Sequence, residues 1–262
     1  MRALITGASR GIGAAIALKL ATDAQAAGQT ARLALGATGE GEHLSALIEQ
    51  LRRIGASVVP VLGNLADPDT PARLVAEAVE FCGGLDGLVC NAGILAPSPL
   101  AALDIENWDR LYAVNARATW LLAKAAFPAL GESKGAMVAV ASMAGMQAHP
   151  NSGAYSSSKA AMIMLCHQLA LEWAEHGVRV NSVSPGMVHT TLTDRIYKNP
   201  EVTAQRVGLI PLHRIGRPDD IAATVAFLLG DGAAYITAQN ICVDGGFTES
   251  LMANIPGMPK AG

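Results

Sequence analysis

The chain has 262 residues, of which 51% are apolar and 16% are charged, and its formal net charge is -3. This apolar content excludes a disordered chain, because enough side chains are available to bury a large core. The 19 basic residues do not outnumber the 22 acidic ones, so we expect no nucleic-acid binding through bulk positive charge.

Short apolar runs alternate along the chain with longer helical patterns. The runs predict seven strands, at 3–6, 32–35, 57–62, 87–90, 137–141, 179–183 and 240–243. The segments between them predict helices near 12–25, 42–54, 71–81, 108–129, 154–176 and 218–229. Strands joined through helices form parallel sheets with right-handed crossovers, and strands this apolar are covered on both faces. We therefore expect one α/β domain over residues 1–262.

Two segments have no clear pattern. Residues 189–214 contain Gly208 and two prolines, and a loop this long in a compact domain is usually functional, so we predict a substrate loop or lid. The tail, about 250–262, is rich in glycine and proline and is expected to fold only against something else. The first helix-to-strand connection, near 22–30, is longer than usual and leaves the register of residues 36–38 open.

The cysteines, histidines and apolar runs indicate the compartment. The four cysteines lie in apolar runs without C-x-x-C spacing, which predicts buried, reduced thiols in a cytosolic protein. Polar residues and glycines interrupt the first apolar stretch, so no signal peptide is expected. No apolar run approaches the ~18 residues of a membrane span. The six histidines show no H-x-x-x-H spacing, so no metal is expected. We predict a soluble, cytoplasmic protein.

The first strand runs into a glycine-rich loop, Gly7-Ala8-Ser9-Arg10-Gly11-Ile12-Gly13, which opens a helix. Glycines let the backbone approach a pyrophosphate, whose charge the helix N-terminus stabilises. The spacing is G-x-x-x-G-x-G rather than G-x-G-x-x-G, so by itself it does not separate a nucleotide site from a plain tight turn.

The same loop also reads as G-x-S-x-G, the nucleophile-elbow pattern of α/β-hydrolases, with Ser9 as the nucleophile. An elbow after the first strand is a weakness of this alternative. Its oxyanion hole would need an earlier strand-to-helix loop, which this sequence does not contain.

The end of the second strand bears on the choice of dinucleotide. An NAD site usually has an Asp or Glu there, which binds the ribose 2′-hydroxyl. Here the strand ends near Thr38 and no acid occurs before Glu40. Arg10 in the glycine loop could bind a 2′-phosphate, although it could also be a solvated surface charge. The pattern favours NADP(H) over NAD(H).

Tyr155 and Lys159 lie four residues apart at the start of a predicted helix and therefore on one face. A nearby cation lowers a tyrosine pKa from about 10, which suits general acid–base chemistry near neutral pH. Ser142 ends an apolar strand, and its hydroxyl could hydrogen-bond a substrate oxygen. Such pairs also occur by chance in helices. His149 and His189 could face a substrate or lie in solvated loops.

Taken together, these residues resemble the motifs of the short-chain dehydrogenase/reductase family over nearly the whole chain. The motifs are matched in order by Thr6, Gly7, Gly11 and Gly13; Asn91, Ala92 and Gly93; Asn115; Ser142; Tyr155 and Lys159; and Pro185, Gly186 and Thr190. Two departures are Cys90, where the family usually has Asn, and Ala238, where it usually has Gly.

The resemblance implies a doubly wound Rossmann-type domain with seven parallel strands and helices on both faces. It also implies hydride transfer between a nicotinamide and a small carbonyl or alcohol substrate, with Tyr155 as the general acid or base. By the same resemblance, Lys159 lowers the Tyr155 pKa and binds the nicotinamide ribose, Ser142 orients the substrate oxygen, and Asn115 holds a proton relay. A non-catalytic dinucleotide-binding sensor of the same fold is the alternative.

The implied cofactor-binding residues follow the same motifs. They are Gly7, Ser9, Arg10, Gly11, Ile12, Gly13, Thr38, Asn64, Leu65, Asn91, Ala92, Gly93, Tyr155, Lys159, Pro185, Gly186, Val188 and Thr190. Within the family, the chain is most similar to bacterial 3-oxoacyl-acyl-carrier-protein reductases. The family is commonly tetrameric, and predicted helices 108–129 and 154–176 are apolar on more than one face. We therefore expect a homotetramer, or a homodimer.

Overall fold

One parallel sheet organises the molecule, whose computed structural model describes residues 1–252 and 255. Within these residues seven strands pair in the order β3-β2-β1-β4-β5-β6-β7. They are β1 (Arg2–Thr6), β2 (Arg32–Ala37), β3 (Ser57–Leu62), β4 (Gly87–Cys90), β5 (Ala136–Val140), β6 (Arg179–Pro185) and β7 (Asn240–Val243). The predicted doubly wound α/β fold is confirmed.

Helices connect the strands. They are α1 (Gly11–Ala26), α2 (Glu42–Arg53), α3 (Thr70–Cys82), α4 (Ile105–Tyr112), α5 (Ala118–Ser133), α6 (Tyr155–Trp173), α7 (Asp194–Tyr197), α8 (Pro200–Leu209) and α9 (Pro218–Leu229). The predicted helix 108–129 is interrupted, because a π-helical turn at Ala113–Arg117 separates α4 from α5. Such turns often mark functional positions, and this one contains Asn115.

Both faces of the sheet are buried, as the apolar strands predict. Along β1, Ile5 packs into one core with side chains of α1, α2 and α9. Its neighbour Leu4 packs into the opposite core with side chains of α3, α5 and α6. Successive strand residues point to opposite faces, so one apolar run supplies both cores. Burial of each large side chain stabilises the fold by about 1.5–3 kcal/mol.

The strand order reverses between β1 and β4, and the crevice at their carboxyl ends is where ligands bind in such sheets. The register of β2 against β1 places Gly36 opposite Thr6, and the Ala8 amide donates a hydrogen bond of 2.9 Å to the Gly36 carbonyl. Helix α1 continues to Ala26, which accounts for much of the long connection to β2. The end of β2 therefore lies beside the glycine loop.

The segment 189–214 is not one irregular loop, because it contains α7 and α8. Helix α8 begins where Asn199 Oδ1 accepts hydrogen bonds from the amides of Glu201, at 3.0 Å, and Val202, at 3.2 Å. Pro200 occupies the first helical position, where its missing N–H costs nothing. The Asn-Pro-Glu sequence was therefore a helix-start signal that the sequence analysis missed.

Cys82, Cys90 and Cys166 are buried free thiols, whereas Cys242 is only partly buried. Most of the predicted tail, residues 253–254 and 256–262, lies outside the described residues. Among the helices that the structure does describe, none has the length and apolar character needed to cross a membrane.

Candidate active site

A cavity of about 460 Å³ opens at the carboxyl ends of the strands, where β1 meets β4. Its walls come from the glycine loop, from the ends of β2 to β6, and from the segment after β6. The volume lies within the ~300–1,000 Å³ typical of ligand pockets. The crevice expected from the strand order is therefore present as a real cavity.

The glycine loop forms one end of this cavity. Gly7 and Gly11 have positive φ angles of 62° and 59°, a conformation that glycine adopts without steric cost. A Cβ on Gly13 would lie 2.3 Å from the Gly7 carbonyl oxygen, so only glycine fits there. Helix α1 begins at Gly11 without a side-chain cap or an acid in its first turn. Its first N–H groups and its dipole favour a bound anion such as a pyrophosphate.

Asn91 braces the glycine loop from β4. Its Nδ2 donates to the carbonyl oxygens of Thr6, at 2.9 Å, and Gly7, at 3.0 Å. The Thr6 hydroxyl in turn accepts from the amides of Asn91, at 3.0 Å, and Ala92, at 3.2 Å. These four bonds join the ends of β1 and β4 on either side of the crevice and fix the backbone that would contact a cofactor.

Ser142, Tyr155 and Lys159 line the opposite part of the cavity. Ser142 follows β5, and its Oγ accepts from the Ala144 amide at 3.1 Å. Tyr155 opens α6, and the Lys159 Nζ one turn later lies 5.9 Å from the centre of the Tyr155 ring. The fold thus brings the predicted hydroxyl, phenol and ammonium into one wall.

The pKa values of the phenol and the ammonium are both set mainly by burial. Burial raises the Tyr155 pKa, and the Ser142 hydroxyl opposes this by lowering it. Burial also lowers the Lys159 pKa to about 8, with Cys166 and Cys90 acting weakly in the opposite direction. The expectation of a Tyr155 pKa lowered by Lys159 is therefore wrong for this structure, because burial disfavours the charged phenolate and its effect exceeds that of the Ser142 hydrogen bond, the one cause that lowers the Tyr155 pKa. Tyr155 is a protonated acid at neutral pH.

Asn115 lies behind this wall rather than in it. Its side chain is fully buried, and its Oδ1 accepts from the Ile94 amide at 2.9 Å. Its Nδ2 donates to the Ile94 carbonyl and to Ser158 Oγ, both at 3.1 Å. Asn115 therefore joins the π-helical turn, the segment that follows β4, and α6.

The predicted cofactor residues converge on the cavity. All of the predicted site residues line it except Gly13 and Asn115, which are buried next to it. Arg10 and Thr38 lie at the end that holds β2, and Glu40 is not among the lining residues. Arg110 and Val114 also line the cavity, although no sequence motif indicated them. Their four-residue spacing places them on one helical face, but only the fold brings that face to the cavity.

The Ser9 hydrolase alternative finds no support in the geometry. Ser9 lines the cavity, but none of the six histidines does, although all of them are among the described residues. A serine nucleophile needs a base within hydrogen-bond reach. The loop is better suited to hold phosphate oxygens.

The chain is similar to proteins of known families. The sequence profile described as Enoyl-(Acyl carrier protein) reductase matches residues 7–248. The 3-oxoacyl-[acyl-carrier-protein] reductase of Staphylococcus aureus strain Mu50 is 36% identical over 245 residues, covering 93% of this chain and 96% of that protein.

Two solved structures are also similar. One, described as a short-chain alcohol dehydrogenase from Sinorhizobium meliloti 1021, has a TM-score of 0.88 at 33% identity and covers 95% of this chain and 97% of that one. The other, described as a 2-deoxy-d-gluconate 3-dehydrogenase from Agrobacterium tumefaciens with bound NADP, has a TM-score of 0.84 at 28% identity. It covers 94% of this chain and 96% of that one.

The chain belongs to the short-chain dehydrogenase/reductase family. It is an NAD(P)-dependent oxidoreductase that acts on carbonyl and alcohol groups.

Proposed function

We propose that this enzyme prefers NADP(H) and interconverts a small ketone and a secondary alcohol, with Tyr155 as the general acid and base. The observation that carries the proposal is that Ser142, Tyr155 and Lys159 share one cavity with the glycine loop. A dinucleotide lying on the loop would extend toward the phenol. Hydride supplied by the bound nicotinamide would then reach a carbonyl carbon whose oxygen faces Tyr155.

The described residues fit such a cofactor. The loop from Gly7 to Gly13 packs closely against the segment that follows β4, because a Cβ at Gly7 would lie 2.9 Å from the Ala92 backbone and a Cβ at Gly13 would lie 2.6 Å from Asn91 Nδ2. The absence of both side chains leaves the loop backbone in the place where it would contact a cofactor. The pyrophosphate would lie at the N-terminus of α1. By family resemblance, Asn64 and Leu65 would contact the adenine, while Val188 and Thr190 would hold the carboxamide. Asn91 would keep the loop in place from below.

The acid–base step rests on three side chains. Tyr155 holds its proton at neutral pH because burial raises its pKa, so it can donate that proton to a carbonyl oxygen in the reductive direction. Ser142 would orient the same oxygen. Lys159 lies beneath the ring, and Asn115 positions α6 through its bond to Ser158. Together they hold the phenol at the point where the oxygen would acquire negative charge.

The preference for NADP(H) rests on charge at the end of β2. Arg10 is exposed there and lines the cavity together with Thr38. A guanidinium binds a phosphate with charge-assisted hydrogen bonds. No carboxylate occupies the position where an NAD enzyme would bind the 2′-hydroxyl. The Agrobacterium relative contains bound NADP, which agrees with this preference.

The substrate class and the assembly are also proposals. The names of relatives include a 3-oxoacyl-[acyl-carrier-protein] reductase and dehydrogenases of gluconate and glucose, so a small oxo or hydroxy compound is supported. Helices α5 and α6 expose Trp120, Met164 and Leu171, which supports a homotetramer or homodimer formed through these helices. Residues 1–262 would form one domain, with residues 189–214 acting as the substrate lid.

Titration with NADPH and NADH, followed by turnover of a ketone panel with the preferred cofactor, tests this function. We expect tighter binding of NADPH and ketone-dependent oxidation. Tyr155→Phe should bind NADPH as before but lose turnover by about 10²–10⁴-fold, the usual contribution of general acid catalysis. Turnover that survives in Tyr155→Phe would contradict the mechanism, and a wild-type protein that binds cofactor without any turnover would be a sensor.

A further inference from the structure

Two leucines line the active-site cavity and are open to solvent. Leu95, in the segment after β4, keeps 38% of its surface exposed, and Leu192, in the segment after β6, keeps 62%. A single exposed leucine on a protein surface is common, but these two lie in the walls of the cavity that contains Tyr155. A ligand that covered them would remove apolar surface from water, which favours binding.

The segment that carries Leu95 packs against the turn that leads into α6. In that turn the Gly153 amide donates to the Ser98 carbonyl at 2.9 Å. A Cβ on Gly153 would lie 2.5 Å from the Ala96 carbonyl oxygen, so the two backbones are in close contact. Helix α6 begins with Tyr155, two residues after Gly153. These contacts hold Leu95 on the side of the cavity where the proposed acid lies.

Leu192 lies in a turn on the side of β6. The Thr193 hydroxyl closes this turn, because it donates to the Val188 carbonyl at 2.8 Å and accepts from the Thr190 amide at 2.9 Å. Thr190, Leu192 and Thr193 all line the cavity. Strand β6 lies next to β5 in the sheet, and Ser142 follows β5. The turn therefore places Leu192 in the wall next to the strand end that carries Ser142.

The hydroxyl groups in these walls are largely engaged with the protein itself. The hydroxyls of Thr190 and Thr193 hydrogen-bond to each other at 3.3 Å, and Ser142 Oγ accepts from the Ala144 amide at 3.1 Å. A substrate with many hydroxyl groups would bury several of them here without partners, which costs free energy. An alkyl chain carries no such penalty.

We propose that Leu95 and Leu192 are specificity-determining residues that bind an apolar chain of the substrate, an inference that rests on the proposed function. The substrate would be a ketone with an alkyl substituent, or the corresponding secondary alcohol, rather than a sugar. Its oxygen would face Tyr155 while its chain covers the two leucines. Because hydrophobic stabilisation grows with the apolar area removed from water, longer chains should be better substrates.

A series of uncharged methyl ketones tests this inference at saturating NADPH. From 2-butanone through 2-hexanone to 2-octanone, we expect kcat/KM to rise by about 4-fold per methylene, which corresponds to one buried CH₂ group. The compound 6-hydroxy-2-hexanone has a hydroxyl in place of the terminal methyl of 2-heptanone. Its kcat/KM should be lower than that of 2-heptanone by at least about 5-fold, because the hydroxyl would be buried without a partner. Uncharged substrates keep Arg10 and Arg110, which also line the cavity, out of the comparison.

Substitution of the two leucines tests the assignment to these residues. Leu95→Asn and Leu192→Asn keep nearly the same side-chain size but remove the apolar surface, at positions that are not fully buried. Each should reduce the gain in kcat/KM per methylene to about 2-fold or less. The matched control is Leu100→Asn, at a leucine that is 67% exposed and does not line the cavity. This variant should keep the wild-type dependence on chain length.

A kcat/KM that stays flat or falls with chain length would overturn the proposal, and so would equal use of 6-hydroxy-2-hexanone and 2-heptanone. An unchanged chain-length dependence in both leucine variants, or the same change in Leu100→Asn, would also overturn it. If no ketone is turned over, the proposed function fails, and calorimetry of 2-octanone and 2-butanone with the NADP⁺-saturated protein still decides the inference. Tighter binding of 2-octanone that is weakened in Leu95→Asn or Leu192→Asn supports it, and equal or absent binding of the two ketones refutes it.

Discussion

The Lys159 ammonium donates a hydrogen bond of 2.8 Å to the carbonyl oxygen of Val140, the last residue of β5. Its other described contacts are the thioether of Met162, at 4.0 Å, and the face of the Tyr155 ring. No carboxylate is among these partners. Burying a cation whose oxygen partner is a single carbonyl lowers the stability of the folded protein. We attribute the presence of Lys159 at this position to its place beneath Tyr155, the proposed acid.

Replacing Lys159 with Met should stabilise the folded protein at pH 7 while abolishing turnover. The folded chain releases the lysine proton above about pH 8, whereas an unfolded lysine keeps it to about 10.4. Between these values the unfolded state binds more protons, so the contribution of this group to stability rises with pH. We expect Lys159→Met to raise the free energy of unfolding at pH 7 by on the order of 3 kcal/mol. Urea unfolding at several pH values measures it.

The advantage of the Met variant should shrink as pH rises from 8 to 10.5, because the wild-type lysine becomes neutral in both states. Arg52→Met, which removes an exposed charge from α2, provides the control and should show no such trend. A Met variant that is less stable than wild type at pH 7 would contradict a large burial penalty.

Ala238 adopts a φ of 56°, in the left-handed region, at the position where the family usually has glycine. This conformation costs a residue with a Cβ about 1–2 kcal/mol. Ala238→Gly should therefore stabilise the protein, by up to about 1 kcal/mol after the greater flexibility of an unfolded glycine is subtracted. Ala76→Gly, at an exposed position within α3, should instead destabilise it by about 1 kcal/mol. Thermal unfolding of both variants would separate the two signs, and a loss of stability in Ala238→Gly would refute the strain.

Gly13→Ala should damage the glycine loop. Its Cβ would lie 2.3 Å from the Gly7 carbonyl and 2.6 Å from Asn91 Nδ2, so the brace from β4 must shift. Overpacking of this kind costs about 1–3 kcal/mol, and NADPH affinity should fall with it. Gly131→Ala in α5, whose Cβ would meet nothing within 4 Å, should be neutral or slightly stabilising. Fluorescence titration with NADPH and urea unfolding would report both effects.

Ala37→Asp should shift the cofactor preference from NADP(H) toward NAD(H). Ala37 ends β2 and lines the cavity beside Thr38, where a carboxylate would bind the 2′-hydroxyl and repel a 2′-phosphate. We expect the ratio of kcat/KM for NADPH over NADH to fall by about 10- to 100-fold, the worth of a charged hydrogen bond. Ala37→Asn has nearly the same size without the charge and should change the ratio much less. An unchanged ratio in the Asp variant would place the adenosine ribose elsewhere.

Much of this protein could be predicted from the order of its residues. Apolar runs alternating with amphipathic segments require a parallel sheet covered on both faces, because adjacent strand residues point to opposite sides. The glycine loop after β1 and the Tyr155–Lys159 spacing are local patterns, so they were visible without coordinates. Asn199 and Pro200 form an equally local signal for the start of α8, although that helix was not predicted.

Other features depend on residues that only the tertiary structure brings together. The raised pKa of Tyr155 and the lowered pKa of Lys159 follow from burial, which helical spacing alone does not reveal. Asn115, in the π-helical turn, bonds to Ile94 and Ser158, which lie far from it in the chain. Local patterns determine which elements form and which groups can react. Hydration and long-range packing determine how strongly those groups hold their protons and which of them face a substrate.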